Sequence, residues 1–395
     1  MIIALLRRRL RRVSVFVLVL LGIEFLDELV FGVREAAWPL IRDDLALTYA
    51  QVGLLLSLPN LVASFIEPVL GVLADVWKRR ALVLGGGVLF ALALLLTAFS
   101  EGVVLLMLAF VLLYPASGAF VSLSQATLMD SDPDRHEHNM ARWVVAGSVG
   151  VVAGSLLIPP AIRLGIGWRG LFLGMAGLTI VLVALAWRLP FGGNAAEGRS
   201  LSAGFKGGLV DGWHALKRRE VLRWLALLEF SDLMLDVLFG YLALYFVDVA
   251  GVDTGQAALA VAVWAGVGLV GDFLLIPLLE RVRGLTYLRI SAALELLLYP
   301  AFLLIPGLLP KLLLLGLLGL FNAGWYSILQ GQLYSAMPGQ SGTVMAVGSL
   351  FGLVGSLLPL GIGLTAERFG LNAAMWLLLA GPVALLVGIP RRRES

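Results

Sequence analysis

Glu24-Phe25-Leu26-Asp27 returns 205 positions later (229 minus 24) as Glu229-Phe230-Ser231-Asp232, each time inside a run of apolar residues. The same offset relates Gln51 to Gln256, Glu67 to Asp272 and Asp75 to Glu280, and carries Ser122-x-x-Gln125-x-x-Leu128 onto Ser327-x-x-Gln330-x-x-Leu333. At an offset of 201 (348 minus 147), Gly147-Ser148 and Gly154-Ser155-Leu156-Leu157 match Gly348-Ser349 and Gly355-Ser356-Leu357-Leu358. A self-similarity this long marks an internal duplication. Chance seldom aligns acids that sit within apolar segments.

Composition names the solvent. Of the 395 residues, 60% are hydrophobic and 14% charged, where soluble domains carry roughly 25% charged residues. Mean hydropathy is +0.95, so most of the surface faces lipid. Apolar segments fall at roughly 13–32, 50–73, 81–99, 103–127, 143–163 and 169–189, and again at 222–247, 256–279, 285–305, 308–334, 342–365 and 371–389. A span needs about 20 apolar residues to cross about 30 Å of hydrocarbon, so the pattern predicts an all-α membrane protein of twelve helices in two six-helix bundles. The expected units are 1–189 and 222–395, joined by a polar, Gly-rich cytoplasmic linker at 190–221 that closes on Lys217, Arg218 and Arg219. With no cysteine, disulfides and thiolate metal sites are excluded.

Basic residues fix the orientation. Arg7, Arg8, Arg9, Arg11, Arg12, the 78–80 cluster, the linker, the 281–289 loop and the 391–393 cluster all fall on one side, and the positive-inside rule makes that side cytoplasmic, with both termini, in the cell (inner) membrane. Arg42, Arg163, Arg169, Lys311 and Arg368 dissent. The opening arginines imitate a signal peptide, but no small-residue cleavage site follows, and the segment reads as a retained first helix.

After helix 2 comes Gly71-Val72-Leu73-Ala74-Asp75-Val76-Trp77-Lys78-Arg79-Arg80, which resembles the G-x-x-x-D-x-x-G-R-R signature of the major facilitator superfamily. Gly71, Asp75, Arg79 and Arg80 match, and Lys78 replaces the usual glycine. The resemblance implies a gating role for this loop, with Asp75 engaging neighbouring helix ends. It also implies a secondary transporter rather than an enzyme, a fold whose two parallel repeats place the substrate near mid-membrane between the halves. Gly147, Gly150 and Gly154, before Pro159-Pro160, partly resemble the family's glycine-rich antiporter motif. Drug/proton antiporters of the family usually carry an Arg within helix 4; here none lies between Val103 and Met129.

A central carboxylate in a span costs about 2.5–3.5 kcal/mol and is a functional candidate by default. Glu24, Asp27 and Glu28 share one helix face by their 3.6-residue period, as do Glu229, Asp232 and Asp236. These six are the expected substrate and proton-coupling residues, lining a cavity between the halves. Carboxylates crowded in a low-dielectric cavity hold protons more readily than in water, and such a cluster titrates as a coupled set. Glu67, Asp272 and Glu295 are secondary cavity candidates, with Gln125 and Gln330 as neutral hydrogen-bonding groups beside Ser122, Ser124, Tyr326 and Ser327. Arg142 belongs with them as a counter-charge, alongside Arg34 and Arg223; Asn60 and Asn322 are further polar candidates. Phe25, Phe230, Trp143, Trp264 and Trp325 offer faces for an organic cation, although for any one aromatic packing or interface anchoring is the better reading.

His136, His138, Asp130, Asp132, Asp134 and Glu137 read as a solvated loop rather than a metal site. No P-loop, catalytic triad or nucleic-acid signature is present, and no cofactor is expected. The expected function is a proton-coupled exporter of a cationic or amphipathic organic compound, acting by alternating access. Its partners are a small-molecule substrate, protons and membrane lipids, and it acts as a monomer without nucleic acid. Divalent metal transport, uptake of a sugar or other neutral solute, and lipid flipping stay open as alternatives.

Overall fold

The computed structural model describes residues 15–76, 79–131, 136–189, 216–337, 347–348 and 351–390; within these, the side chains at 67–69, 71–76 and 136–137 lie outside the described set. Most of the linker, the side chains of Glu67, Gly71 and Asp75, and the His136–Glu137 part of the polar loop therefore fall outside it.

Among the described residues there is no strand, and the helices form twelve rods. The first six are α1 (Val15–Leu45), α2 (Tyr49–Val76), α3 (Arg79–Ala98), α4 (Val103–Ser131), α5 (His136–Leu156, continued by Ile158–Arg163) and α6 (Gly167–Trp187). The second six are α7 (Arg219–Asp248), α8 (Thr254–Leu279), α9 (Gly284–Leu304), α10 (Leu308–Asn322 and Trp325–Ala336), α11 (Leu358–Phe369, with helical residues 351–355 ahead of it) and α12 (Leu371–Gly388). Ten of these are long and apolar enough to cross a membrane. With no water in the hydrocarbon to receive backbone groups, helices are the structure such segments adopt.

The α1 rod runs thirteen residues beyond its expected end at 32 (45 minus 32), through Arg34, Glu35 and Arg42. Those charges are satisfied within the protein, as described below, so they do not end the span. Elsewhere α1 packs against α5 and α6, α3 against α4 and α6, α7 against α10 and α12, and α9 against α10 and α12. The two sets of six meet where α2 lies along α11, α5 along α8, and α1 along α7.

One repeat pair has a purely local explanation. Gln51 accepts from the backbone N–H of Thr48 at 2.9 Å while the Thr48 hydroxyl accepts from the Gln51 N–H at 3.2 Å. Gln256 and Asp253 make the same reciprocal pair at 3.3 and 3.0 Å. Both are capping boxes that start a helix, so Gln51 and Gln256 are duplicated because α2 and α8 begin alike.

Irregular turns in three of the helices lie beside cavities. Wide π turns interrupt α4 at Gly118–Ser122 and α7 at Leu233–Val237, a feature found often at functional sites. The α10 rod is broken at Ala323–Gly324, where Gly324 takes φ +74°, a left-handed conformation natural to glycine. The groups freed by the break are reused: Asp272 on α8 accepts the Gly324 N–H at 3.1 Å, and the Tyr287 hydroxyl lies 3.0 Å from the Ala323 carbonyl.

Candidate functional site

The α1 and α7 rods face one another near the middle of the molecule. Asp27 and Glu28 from α1 and Asp232 and Asp236 from α7 line one cavity of about 420 Å³, a size suited to a small organic ligand. Asn60 of α2, Tyr114 and Ser117 of α4 and Ser356 beside α11 add neutral polar groups. The Ser117 hydroxyl donates to Asp27 Oδ1 at 2.9 Å. Asp236 is exposed to the cavity despite its mid-helix position.

A single cation, Arg34, is among the lining residues, and it is already engaged. Its Nε and Nη2 donate to Glu35 Oε1 at 2.9 and 2.5 Å, its Nη1 donates to the Tyr114 hydroxyl at 2.7 Å, and Trp38 Nε1 donates to Glu35 Oε2 at 3.0 Å. The guanidinium lies 4.8 Å from the Phe31 ring centre and 5.4 Å from that of Tyr114. Arg34 and Glu35 thus form a mutually paired unit at the edge of the four facing carboxylates. Phe31 stacks on Phe239 of α7 at 5.4 Å and an interplanar angle of 20°, joining the halves.

The first acid of each repeat goes elsewhere. An ideal Cβ on Gly147 of α5 would lie 2.6 Å from Glu24 Oε1, and one on Gly355 would overlap the Glu229 carboxylate. Neither Glu24 nor Glu229 is among the residues lining the central cavity. Each packs at the edge of its helix against a glycine of a crossing helix, in both halves alike. A helix face wide enough for three acids is thereby divided between a cavity and a neighbour.

Secondary candidates scatter. Gln125 is half-buried on α4 with Nε2 3.5 Å from Met140 Sδ, Gln330 is half-buried on α10, and Arg142 is half-buried on α5; none lines the central cavity. Glu295 is fully buried on α9, and neither carboxylate oxygen has a hydrogen-bond partner among the described residues. Asp272 lies in a separate, flanking chamber with Trp264, Asn322, Trp325 and Tyr326. Trp143 is buried, Phe25 half-buried and Phe230 exposed. Of the loop motif, Arg79 pairs with Asp130 at the end of α4 at 2.5 Å, and Arg80 bonds the Trp187 carbonyl at the end of α6.

All described hydrogen bonds and ion pairs that join the halves lie away from the chain termini. On that far side Arg42 of α1 pairs with Asp248 of α7, Nη2 to Oδ1 at 2.8 Å, and the Tyr49 hydroxyl donates to the same carboxylate at 2.6 Å. Glu367 accepts the Tyr49 N–H at 3.0 Å, and the Ser57 hydroxyl accepts the Leu360 N–H at 2.9 Å. On the terminal side the described bonds stay within a half: Arg79 and Arg80 with their first-half partners, and Arg218 with the Ala336 carbonyl at 2.8 Å. The described bonds thus clasp the two halves together on the far side.

The Major Facilitator Superfamily model matches residues 20–359. The chain belongs to the major facilitator superfamily. As a member it is a multi-pass integral membrane protein, a secondary transporter of small molecules working by alternating access, and not an enzyme. The twelve-helix superfamily fold is also that of its structural neighbours. The nucleoside transporter NupG, in a mutant form, superposes with a TM-score of 0.80 at 15% identity, covering 95% of this chain and 98% of that one. A bacterial homologue of the human lysosomal transporter Spinster, inward-facing and unoccupied, gives 0.69 at 18% identity over 95% and 94%. By sequence, this superfamily member is 26% identical to the transcription regulatory protein OpdE of Pseudomonas aeruginosa, over 85% of this chain and 83% of that protein. It is 30% identical to a putative metabolite transport protein of Haemophilus influenzae over 38% and 37%.

The main residues missing from the candidates read from sequence are Glu35, Tyr114, Ser117 and Phe31 in the cavity, and Arg42, Tyr49 and Asp248 in the far-side clasp. Three basic residues that broke the orientation rule have structural work here. Arg42 clasps Asp248, Arg169 pairs with Asp44, and buried Lys311 donates to the Tyr245 hydroxyl at 2.8 Å and the Phe302 carbonyl at 2.5 Å. Each sits in the terminal turns of a helix on the far side and is held by a partner within the protein.

Proposed function

We propose that this transporter is proton-coupled and exports a cationic or amphipathic organic compound. The observation that carries this reading is the confrontation of Asp27 and Glu28 with Asp232 and Asp236 across one cavity whose lining arginine is held by Glu35. Four carboxylates in a site with little water favour either bound protons or a bound cation. Competition between the two couples their movements. Each half contributes two of the acids, so rocking the halves about the cavity separates or rejoins the set. The far-side clasp holds the site open toward the terminal side, which the basic-residue bias makes cytoplasmic; loading from there is the first step of export. Asp75, Arg79 and Arg80 serve as the opposing gate.

The alternative of a divalent metal has less support. Among the described residues, no three His, Asp or Glu side chains come together closely enough to hold an ion, and hard cations want six or more oxygen ligands. Phe31 and Tyr114 instead give the cavity aromatic surface suited to an organic cation.

Proteoliposomes with an imposed pH gradient test the reading. Radiolabelled organic cations should accumulate against their gradient when the proton gradient opposes them, and Asp27→Asn or Asp232→Asn should abolish that accumulation. Transport that proceeds equally with and without the gradient, and equally in both variants, would remove the coupling scheme.

A further inference from the structure

A second chamber of about 570 Å³ flanks the central one, between α5 of the first half and α8 and α10 of the second. The π turn of α7 separates them: Leu235 faces the flanking chamber, and its neighbour Asp236 faces the central cavity. Their chemistry differs. Asp272 is the one charged side chain lining the flanking chamber, amid apolar residues that include Val144, Trp264 and Ile276. Asp272 Oδ1 accepts the Gly324 N–H at the break in α10, and Oδ2 has no bonding partner among the described residues.

The outer wall of this chamber is also the lipid-facing surface. Val144 of α5 and Ile276 of α8 both line it, and they are 48% and 66% exposed. Next to them Val145, Phe273 and Leu274 are exposed as well. Val144 lies near the start of α5 and Ile276 near the end of α8, so the opening lies in the leaflet on the terminal side. A chamber open to lipid, apolar in its walls and carrying one carboxylate, matches a molecule with an apolar body and a positive charge.

We infer that the flanking chamber is a lateral entry site that binds an amphipathic organic cation drawn from the terminal-side leaflet, holding its charge on Asp272 before it moves to the central acids. This rests on the cationic-substrate reading and adds the route and the need for an apolar body. Tyr326, which lines the chamber wall on the second half of α10, is 59% exposed.

The test is equilibrium binding of radiolabelled tetraphenylphosphonium to the purified protein in lipid nanodiscs. Wild type should bind saturably, and Ser148→Trp, which fills the chamber from α5, and Asp272→Asn should each weaken binding at least tenfold. Leu108→Trp, on a lipid-facing surface of α4 elsewhere, should stay within twofold of wild type. Thermal unfolding checks each variant; should Ser148→Trp fail to fold, Asp272→Asn with its exposed side chain carries the test, and Asp272→Glu should restore binding. Tight binding in both chamber variants with weakened binding in Asp27→Asn would overturn the entry site while keeping a cationic substrate. Absence of saturable binding in wild type would overturn both.

Discussion

Removing the far-side clasp should tip the protein toward its opposite conformation. The Asp248 carboxylate receives Arg42 and the Tyr49 hydroxyl together, and the Arg42 and Asp248 side chains are only 16% and 17% exposed. Exposed ion pairs contribute about 0–1 kcal/mol and breaking a fully buried one costs about 3–5 kcal/mol, so this half-buried pair falls near 2 kcal/mol. At about 1.4 kcal/mol per tenfold, Asp248→Asn shifts the balance between far-side-closed and far-side-open forms by about 30-fold. The chain has no cysteine, so spin labels on Glu101→Cys and Asn372→Cys report the gap between the halves on the far side without background. Pulsed electron–electron resonance should show a longer-distance population growing in Asp248→Asn and in Arg42→Gln. An unchanged distance distribution in both variants, with unchanged thermal stability, would refute the clasp.

Three further outcomes follow from the same geometry. Glu35→Gln frees Arg34 to meet the facing acids, costing about 3 kcal/mol at a buried pair and lowering affinity for organic cations; binding and thermal unfolding measure both. Gly355→Leu forces a side chain into the space of Glu229, and overpacking of this kind costs about 1–3 kcal/mol, which a lowered unfolding temperature reports. Lys311→Met leaves the Phe302 carbonyl without its donor, a loss of about 1–3 kcal/mol; accessibility labelling of the loops should show unaltered topology.

The helical rods and the duplication were legible because lipid admits only helices here and because both halves keep the same polar residues at the same offset. Asp27, Glu28, Asp232 and Asp236 were legible from helical periodicity alone. Glu24 and Glu229 share that periodicity yet pack against glycines, since period says which face a residue occupies and nothing of which neighbour covers its edge. Gln51 and Gln256 show that a conserved offset within one chain can reflect a helix cap. Arg34 and Glu35 lay past the expected end of α1, where charges read as the close of a span; a mutually satisfied pair inside the protein reverses that meaning. The break in α10 had a faint sign in Gly324, whose effect depends on Asp272 and Tyr287 from other helices.

Proton release on ligand binding probes the facing acids most directly. Tetraphenylphosphonium added to purified protein in weakly buffered solution near neutral pH should release protons in wild type, and Asp27→Asn with Asp236→Asn should suppress that release. Binding with no proton release, or release undiminished in the double variant, would contradict the view that cation and protons contend for carboxylates presented by both halves.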